Sequence, residues 1–259
     1  MDFFINEILE NNEIKEILKN YNRKEEAKEV AKKAENGETV KIENGIFPIC
    51  VLAYLAPYAL KKNEEKGISK EITVKTLKDI NVWIDNYFTK NNELGLGEFS
   101  WLIYHYTGDL FHLGRLQFRL EKSLDGIPEC EYAIETHIPQ GEALTEEKCL
   151  ESFEQAKEFF KKSFPETTVK YFMCDSWLLN PNLEKILKAE SNVVKFMKLW
   201  TPVPFVSDNG SQAIQRVFGF NYKRDNLKEA PENTSLQKAL KEFLLQGGNM
   251  DLTLGYRKI

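Results

Sequence analysis

The chain has 259 residues, of which 42% are hydrophobic and 29% are charged, and its formal net charge is −5. This length and balance are typical of a globular protein with one large domain or two small ones. The negative net charge and the absence of a long basic run disfavour a nucleic-acid partner, and no apolar run approaches the roughly 20 residues that span a bilayer.

The N-terminal segment MDFFINEILENNEIKEI has neither the basic stretch nor the apolar core of a secretory signal peptide. We therefore expect a soluble, cytoplasmic protein without a membrane partner. The sequence contains no CxxC pair and no HExxH motif, so it predicts no structural zinc site and no metal cofactor. Each of four widely spaced cysteines is interpreted as a buried thiol: Cys50, Cys130, Cys149 and Cys174.

The first third of the chain has a helical period. From Phe3 to about Phe88, apolar residues recur at spacings of three and four, and faces rich in Lys and Glu alternate with them. The run FPICVLAYLAP lies between Pro48 and Pro57 and is too short to cross a membrane. It predicts a buried core helix bounded by the two prolines.

Turn residues mark a domain boundary after these helices. Ser69 or Thr73 is expected to start a helix through VKTLKDINVWIDNYF, and the segment NNELGLGE at 91–98 then supplies glycines and asparagines. We place the boundary in or just after that segment. The predicted division is a helical N-terminal domain at residues 1–108 and a second domain at 109–259.

A period of two follows the boundary. In LGRLQFRLEKS, Leu116, Phe118 and Leu120 alternate with polar residues, which is typical of a half-buried strand. The run EYAIETHI alternates in the same way, with Glu135 and His137 on its polar side. A turn, DGIP, lies between the two runs, so they predict a β-hairpin with a loop of several residues.

The rest of the chain alternates helices and strands. Thr145 is expected to cap a helix that ends at Pro165, and VKYFMCDSWLL is then apolar on both faces, which predicts a central or parallel strand in a βαβ unit. A helix NPNLEKILKAE, the segment SNVVKFMKLW, a loop containing Pro202 and Pro204, a helix over 234–246 and a strand MDLTLGYRKI follow. The predicted fold class is α+β with a helical N-terminal part.

The stretch ETHIPQGEALTEE combines a strand end, a glycine turn and a helix start, an arrangement that can hold a phosphate on backbone N–H groups. However, Glu142, Glu146 and Glu147 place negative charge at that helix start. Gly247 and Gly248 are interpreted as a helix stop, and no GxGxxG or Walker-type loop occurs. Either a phosphate site or an ordinary connection fits this stretch.

Polar residues on the predicted strands are candidates for chemistry. Glu135 and His137 leave one strand face about 7 Å apart, which suits a general base if the glutamate pKa is tuned upward by burial; the alternative is a solvated face. Asp175, Ser176 and Trp177 lie at the carboxyl end of a strand, where α/β sheets bind ligands. Alternatively, Trp177 is a packed aromatic residue and Asp175 a helix or turn cap.

Two further interpretations rank lower or remain open. Cys174 and His137 form a nucleophile and base pair if their strands are neighbours, but a thiol inside an apolar run is usually inert. Arg115 and Arg119 suit a phosphate or a carboxylate substrate. The commoner role of such arginines is pairing across a hairpin, here with Glu121, Glu131 or Glu135.

Several of these runs together resemble a known family. FHLGRLQFRLEK, ETHIPQGEAL, CLESFEQAKEFFKKSFP, CDSWLL and SNVVKFMKLW are similar to the GNAT-like C-terminal domain of a group of bacterial acyltransferases. In that group the domain follows a helical N-acyltransferase N-terminal domain, and the first part of this chain is similar in size and placement. The resemblance implies a GNAT-like mixed, mostly antiparallel sheet with flanking helices after the helical domain.

The resemblance also implies a co-substrate, acetyl-CoA or another acyl-CoA. EYAIETHI takes the place of the strand that pairs with the pantetheine arm, and QGEALT takes the place of the pyrophosphate loop. In the usual loop, Q/R-x-x-G-x-G/A, Gln140 fits the first position, but Ala143 and Thr145 replace the later ones. The implied cofactor contacts are Ile138, Gln140, Gly141, Ala143, Leu144, Thr145 and Lys148.

The implied chemistry is direct attack of an amine on the thioester. His137 or Glu135 would act as base, backbone N–H groups near Ile138 as oxyanion donors, and Tyr256 as acid. The acceptor would be a small-molecule or peptide amine, lined by Arg115, Gln117, Asp175 and Trp177. A non-catalytic GNAT-shaped binding module is the alternative, and a Cys174 acyl-enzyme is a third reading.

Overall fold

The computed structural model describes residues 1–203 and 208–259, and it divides into two compact units, Met1–Leu113 and Gly114–Ile259. Pro204 of the predicted proline loop lies outside the described residues. The first unit begins with a π-helical turn, Phe4–Ile8, and ends with strand β1, Leu110–Leu113. Between them lie α1 Asn12–Asn20, α2 Lys24–Glu35, α3 Ile46–Glu65, α4 Lys70–Leu77, α5 Asp79–Asn91 and α6 Phe99–Tyr106.

Helix α3 lies in the core of the first unit, and residues such as Ile49 and Leu52 have no exposed surface. The predicted core helix is therefore confirmed, but its predicted C-terminal bound is wrong. Pro57 lies inside α3, which continues to Glu65. Proline removes one helical hydrogen bond, and burial of an apolar helix on several sides outweighs that loss. Within residues 1–203 and 208–259, no helix is long and apolar enough to cross a membrane.

The helices before the predicted boundary differ from the expected single helix. The Ser69 side chain accepts a hydrogen bond from the N–H of Ile72 at 3.4 Å and caps α4. Of the two predicted helix starts, Ser69 and Thr73, the first is therefore confirmed. The helical run then breaks at Lys78, and α5 begins at Asp79. Asn92 ends α5 with a positive φ of 53°. Helix α6, in the run FSWLIYHY, was not predicted.

The second unit contains a mixed β-sheet with flanking helices. Its elements are β2 Leu116–Lys122, β3 Tyr132–His137, α7 Glu146–Ser163, β4 Val169–Ser176, a 3-10 turn Trp177–Leu179, α8 Leu183–Ile186, α9 Asn192–Met197, β5 Thr201–Val203, α10 Ser211–Phe218, a 3-10 segment Arg224–Glu229, α11 Ser235–Leu245 and β6 Thr253–Lys258. Within this unit the strand order is β2-β3-β4-β6-β5. Strands β3 and β4 are parallel, whereas β2–β3, β4–β6 and β5–β6 are antiparallel. The α+β class with a mostly antiparallel sheet is confirmed.

The predicted hairpin and βαβ unit are both present. Strands β2 and β3 pair in antiparallel register, and α7 connects β3 to the parallel strand β4. Helix α7 covers one face of the sheet through aromatic packing: the rings of Phe153 and Phe172 are 5.0 Å apart and those of Phe118 and Phe153 are 6.0 Å apart. Because side chains alternate along a strand, Gln117, Arg119 and Glu121 of β2 lie on the other face, with Glu135 and His137 of β3.

Three predictions near the C-terminus had mixed outcomes. Thr234 and Gln237 form a reciprocal cap, each accepting a hydrogen bond at 3.1 Å from the other's N–H, and α11 follows as predicted. The predicted helix NPNLEKILKAE is only the short α8, Leu183–Ile186. Pro202 lies in β5 rather than in a loop; β5 is the edge strand, where proline needs no ladder partner for its missing N–H.

Candidate active site

Strand register gathers polar side chains on one face of the second unit. Gln117 of β2 is the Cα partner of His137, and Arg119 is the partner of Glu135. Met173 of β4 pairs with Glu135 on one side and with Tyr256 on the other. Partners across a sheet project to the same side, and Asp175 follows Met173 by two residues on the same strand. We call this surface the polar sheet face; its members are Gln117, Arg119, Glu121, Glu135, His137, Asp175 and Tyr256.

Glu135 interacts with two neighbouring side chains of this face. Its Oε2 lies 3.3 Å from Nε2 of His137 and also accepts a hydrogen bond from Nε of Arg119, whose Nη2 donates to Glu121. Burial alone would raise the pKa of Glu135, but the hydrogen bonds and charges of His137 and Arg119 outweigh it and lower the pKa to about 2. The expectation that burial tunes this glutamate upward is therefore wrong. Arg119 pairs across the hairpin, as one reading predicted.

Asp175 lies on the same face, but its pKa is raised rather than lowered. Its Oδ1 is buried and has no hydrogen-bond partner in the described part of the chain. Burial, followed by the negative charges of Glu135 and Asp208, raises its pKa to about 6, against an opposing contribution from His137. Asp175 is not the turn cap that one reading proposed, because the Ser176 side chain caps the 3-10 turn by accepting from the N–H of Leu178 at 3.2 Å.

The strands that carry His137 and Asp175 separate at their carboxyl ends. The Cα partners of β3 and β4 end at Glu135 and Met173, although β3 continues to His137 and β4 to Ser176. Both strands are held on their outer sides, since β3 pairs with β2 as far as His137 and β4 pairs with β6 as far as Ser176. The result is an opening between two parallel strands, with His137 at one edge and Asp175 at the other.

Two predicted participants lie elsewhere. Trp177 is only 5% exposed and packs in a hydrophobic cluster with Leu183, Ile214 and Leu240. This agrees with the alternative interpretation of Trp177 as a packed aromatic residue, so the ring does not line the opening. Cys174 alternates with Asp175 and so points to the face opposite His137. It is buried, and burial together with nearby carboxylates raises its thiol pKa well above the ordinary value. The predicted nucleophile and base pair is therefore not formed.

Tyr256 belongs to the polar sheet face but not to its centre. Its ring packs edge-on against Tyr171 of β4, with ring centroids 5.6 Å apart. Strand β4 lies between β6 and β3, so about two strand spacings of roughly 4.8 Å each separate the backbone of Tyr256 from that of β3. The structure thus brings Glu135, His137, Gln117 and Asp175 together and leaves Tyr256 one strand further away.

Arg115 holds the turn that follows β3. Its guanidinium donates hydrogen bonds to the main-chain carbonyls of Pro139 at 2.9 Å and Glu142 at 2.8 Å, and its own N–H donates to Oγ of Ser152 at 2.6 Å. Neither predicted role, a ligand for phosphate or carboxylate or a partner for hairpin glutamates, describes these contacts. The preceding Gly114 has a φ of 61°, and a Cβ there would lie 2.4 Å from Oγ of Ser152, so only glycine permits this approach.

The two hydrogen bonds from the Arg115 guanidinium, called the Arg115 clamp, orient the peptide planes of the turn. In a trans peptide the carbonyl and the following N–H point in opposite directions. Because the carbonyls of Pro139 and Glu142 face Arg115, the N–H groups of Gln140 and Ala143 point to the other side of the turn. Main-chain N–H groups directed to one side of a turn before a helix N-terminus can bind an anion.

The start of α7 completes this region. The Thr145 side chain accepts a hydrogen bond from the N–H of Lys148 at 3.4 Å and caps the helix, as predicted. The Lys148 ammonium forms an ion pair with Glu142, so one of the three opposing glutamates is locally neutralised. Glu146 and Glu147 remain in the first helical turn. Of the implied contacts, Leu144 is buried and Gly141 is exposed, with nothing within 4 Å of a Cβ built on it.

The fold and these contacts agree with a family match. Residues 110–257 match the family of the GNAT-like C-terminal domain. The chain belongs to this family. In this GNAT-like protein, residues 4–108 also match the N-acyltransferase N-terminal domain. The resemblance inferred from the sequence is therefore confirmed for both parts of the chain.

Solved acyltransferase structures have the same fold as this GNAT-like protein. One, in complex with decanoyl-CoA and teicoplanin, is 29% identical with a TM-score of 0.75, over 82% of this chain and 66% of that chain. A mutant in complex with octanoyl-CoA is 28% identical, with the same TM-score and coverage. Another, in complex with decanoyl-CoA, is 26% identical with a TM-score of 0.76, over 91% of this chain and 76% of that one. This chain thus spans just under two thirds of the first two. A search of curated proteins gave no match.

Proposed function

We propose that this protein is an acyl-CoA-dependent N-acyltransferase that transfers an acyl group to an amine by direct attack. The helical domain would occupy residues 1–108 and the acyltransferase domain residues 109–259, in the cytoplasm. The observation that carries the proposal is His137, held by ionised Glu135 at the edge of the opening between two parallel strands. Family membership and the acyl-CoA complexes of the similar acyltransferases support it.

The opening would receive the acyl-CoA donor. The pantetheine arm would lie against the end of β3, using main-chain groups near Ile138 that β4 leaves unpaired, and the pyrophosphate would meet the N–H groups of Gln140 and Ala143 at the start of α7. The Lys148–Glu142 ion pair reduces the negative charge that opposes it. Gly141, Leu144 and Thr145 would complete this contact. The similar structures hold octanoyl-CoA and decanoyl-CoA, so medium-length donors are candidates beside acetyl-CoA.

The same geometry divides the catalytic roles. Glu135, with its pKa near 2, is a poor base at neutral pH, so His137 would take the proton from the attacking amine. Glu135 would orient the imidazole and stabilise the imidazolium that forms. When the C–S bond breaks, the imidazolium would return its proton to the CoA thiolate. A small-molecule or peptide amine is the acceptor class; the teicoplanin complex of one similar acyltransferase agrees with this class.

The first test is isothermal titration of the purified protein with CoA, dephospho-CoA, acetyl-CoA, octanoyl-CoA and decanoyl-CoA. We expect binding, and weaker binding of dephospho-CoA if the 3′-phosphate contributes. A panel of primary amines with the best donor then tests transfer. Binding without transfer to any amine would favour the non-catalytic module, and absence of binding to every CoA compound would refute the proposal.

The role of His137 has its own test. The variant His137→Ala is expected to lower turnover by about 10²- to 10⁴-fold while CoA affinity and the melting temperature stay close to those of the wild type. Lys170→Ala on β4 is a matched control, because Lys170 is an exposed side chain of the same sheet. Unchanged turnover in His137→Ala would remove this residue from the mechanism.

A further inference from the structure

The polar sheet face contains two buried polar groups that make no hydrogen bond to any part of the chain that the structure describes. One is Nε2 of Gln117, a residue that is 1% exposed, and the other is Oδ1 of Asp175. An unpaired buried donor or acceptor destabilises a fold, because water satisfied it in the unfolded chain. Two on one face therefore need a reason, and a bound ligand is a common one.

Gln117 and Asp175 lie on the strands on either side of His137. Gln117 is the Cα partner of His137 on β2, which puts the two Cα atoms about 5 Å apart. Asp175 lies on β4, beyond the last paired residues and across the opening from His137. The order along this face is a donor from Gln117, the imidazole of His137, and an acceptor from Asp175. A group positioned over the imidazole can meet both.

A direct acyl transfer needs one donor and one acceptor at its reacting centre. When the amine nitrogen bonds to the thioester carbon, the π electrons of the C=O bond move to the oxygen, which then needs a hydrogen-bond donor. The nitrogen carries N–H groups that need an acceptor, and the base takes one of its protons. Collapse of this intermediate breaks the C–S bond, and the departing sulfur takes that proton. The unpaired groups of the polar sheet face match these two requirements.

We infer that Gln117 donates a hydrogen bond to the acyl oxygen and that Asp175 accepts one from the attacking amine, so that both residues contact the reacting atoms. This inference rests on the proposed function and adds a side-chain oxyanion donor and an amine-binding carboxylate to it. The polar sheet face then keeps two groups that are unfavourable for the unliganded fold, since Gln117 gains its partner only when the acyl donor is bound and Asp175 only when the amine is bound.

The test separates a catalytic role from a structural one by measuring stability and turnover together. Gln117→Met keeps the length of the side chain and removes the amide. We expect its melting temperature to equal or exceed that of the wild type, because an unpaired buried donor is gone, while kcat falls about 100-fold. Gln155→Met is the matched control, because Gln155 is an exposed glutamine on α7, and its kcat should be unchanged.

Asp175→Asn provides the second arm. It keeps the shape of the side chain but removes the charge, so we expect kcat with the best amine to fall about tenfold at pH 7. CoA affinity by titration should stay within about twofold of the wild type in both variants, since neither residue is assigned to the cofactor.

The outcomes distinguish this inference from the proposed function. If wild-type protein acylates an amine and both variants keep kcat within about twofold, the inference is wrong and the proposed function stands. A lower melting temperature together with lost CoA binding in Gln117→Met would assign that residue a structural role instead. If wild-type protein transfers no acyl group to any amine, the proposed function fails and the inference fails with it.

Discussion

Glu135 and Asp175 lie on one sheet face, and neutralising each should change stability in opposite directions. The pKa of Glu135 falls from an ordinary 4.5 to about 2, so its ionised form favours the folded state. At about 1.4 kcal/mol per pKa unit, this difference corresponds to about 3 kcal/mol. The contribution is complete above the unfolded pKa and is lost as the pH falls toward 2. Glu135→Gln should therefore lower the free energy of unfolding at pH 7 by about 3 kcal/mol.

For Asp175 the sign is reversed. Its pKa rises from an ordinary 3.8 to about 6, and because Asp175 is partly exposed, solvent screening reduces the corresponding free energy to about 1–2 kcal/mol. Between these two values the folded protein holds a proton that the unfolded chain has released, so the folded state loses stability as the pH rises. Asp175→Asn should therefore raise the free energy of unfolding at pH 7 by about 1–2 kcal/mol. This gain should disappear once the pH is below the ordinary pKa of 3.8.

Urea denaturation of the full chain, followed by circular dichroism, measures both effects. Glu158→Gln is the control for charge removal, because Glu158 is exposed on α7 and its loss should change the free energy by no more than about 0.5 kcal/mol. The measurement is repeated at pH 4 and pH 7. If Glu135→Gln and Asp175→Asn shift stability in the same direction at pH 7, the electrostatic account of this face is wrong.

Three other predictions concern the turn, the helix cap and the thiol. Arg115→Ala removes the donors that hold the turn carbonyls, so CoA affinity measured by titration should fall about tenfold; equal affinity would show that the turn needs no clamp. Thr145→Ala should lower the free energy of unfolding by about 1 kcal/mol through the lost cap, and no loss in urea denaturation would contradict that reading. Iodoacetamide should leave Cys174 of the native protein unlabelled, as judged by mass spectrometry, while half-buried Cys130 reacts first; rapid labelling of Cys174 would revive the acyl-enzyme.

Local patterns in the sequence determined much of the fold. Ser69, Thr145 and Thr234 begin helices as expected, because a cap bonds to an N–H only two or three residues along the chain. The alternation in β2 and β3 predicted the hairpin, since a period of two places one side of each strand on the core. The same alternation identified Glu135 and His137 as neighbours on one polar face.

Tertiary structure decided what depends on distant residues. Pro57 stays inside α3 because burial of that helix outweighs one missing hydrogen bond, a balance that no local pattern contains. Arg115 finds its carbonyl partners 24 and 27 residues away, and a carbonyl has no residue identity by which a sequence could signal it.

The electrostatic state of the site was also decided by the assembled sheet. Glu135 and Asp175 are both carboxylates near strand ends, and only the neighbouring His137 distinguishes Glu135 in the local sequence. His137, and Arg119 from across the hairpin, lower the pKa of Glu135, whereas burial and the charges of Glu135 and Asp208 raise the pKa of Asp175. The residue types and strand faces follow from the periodicity of the sequence. The protonation of each group, and the unpaired amide of Gln117, follow only from which strands lie side by side.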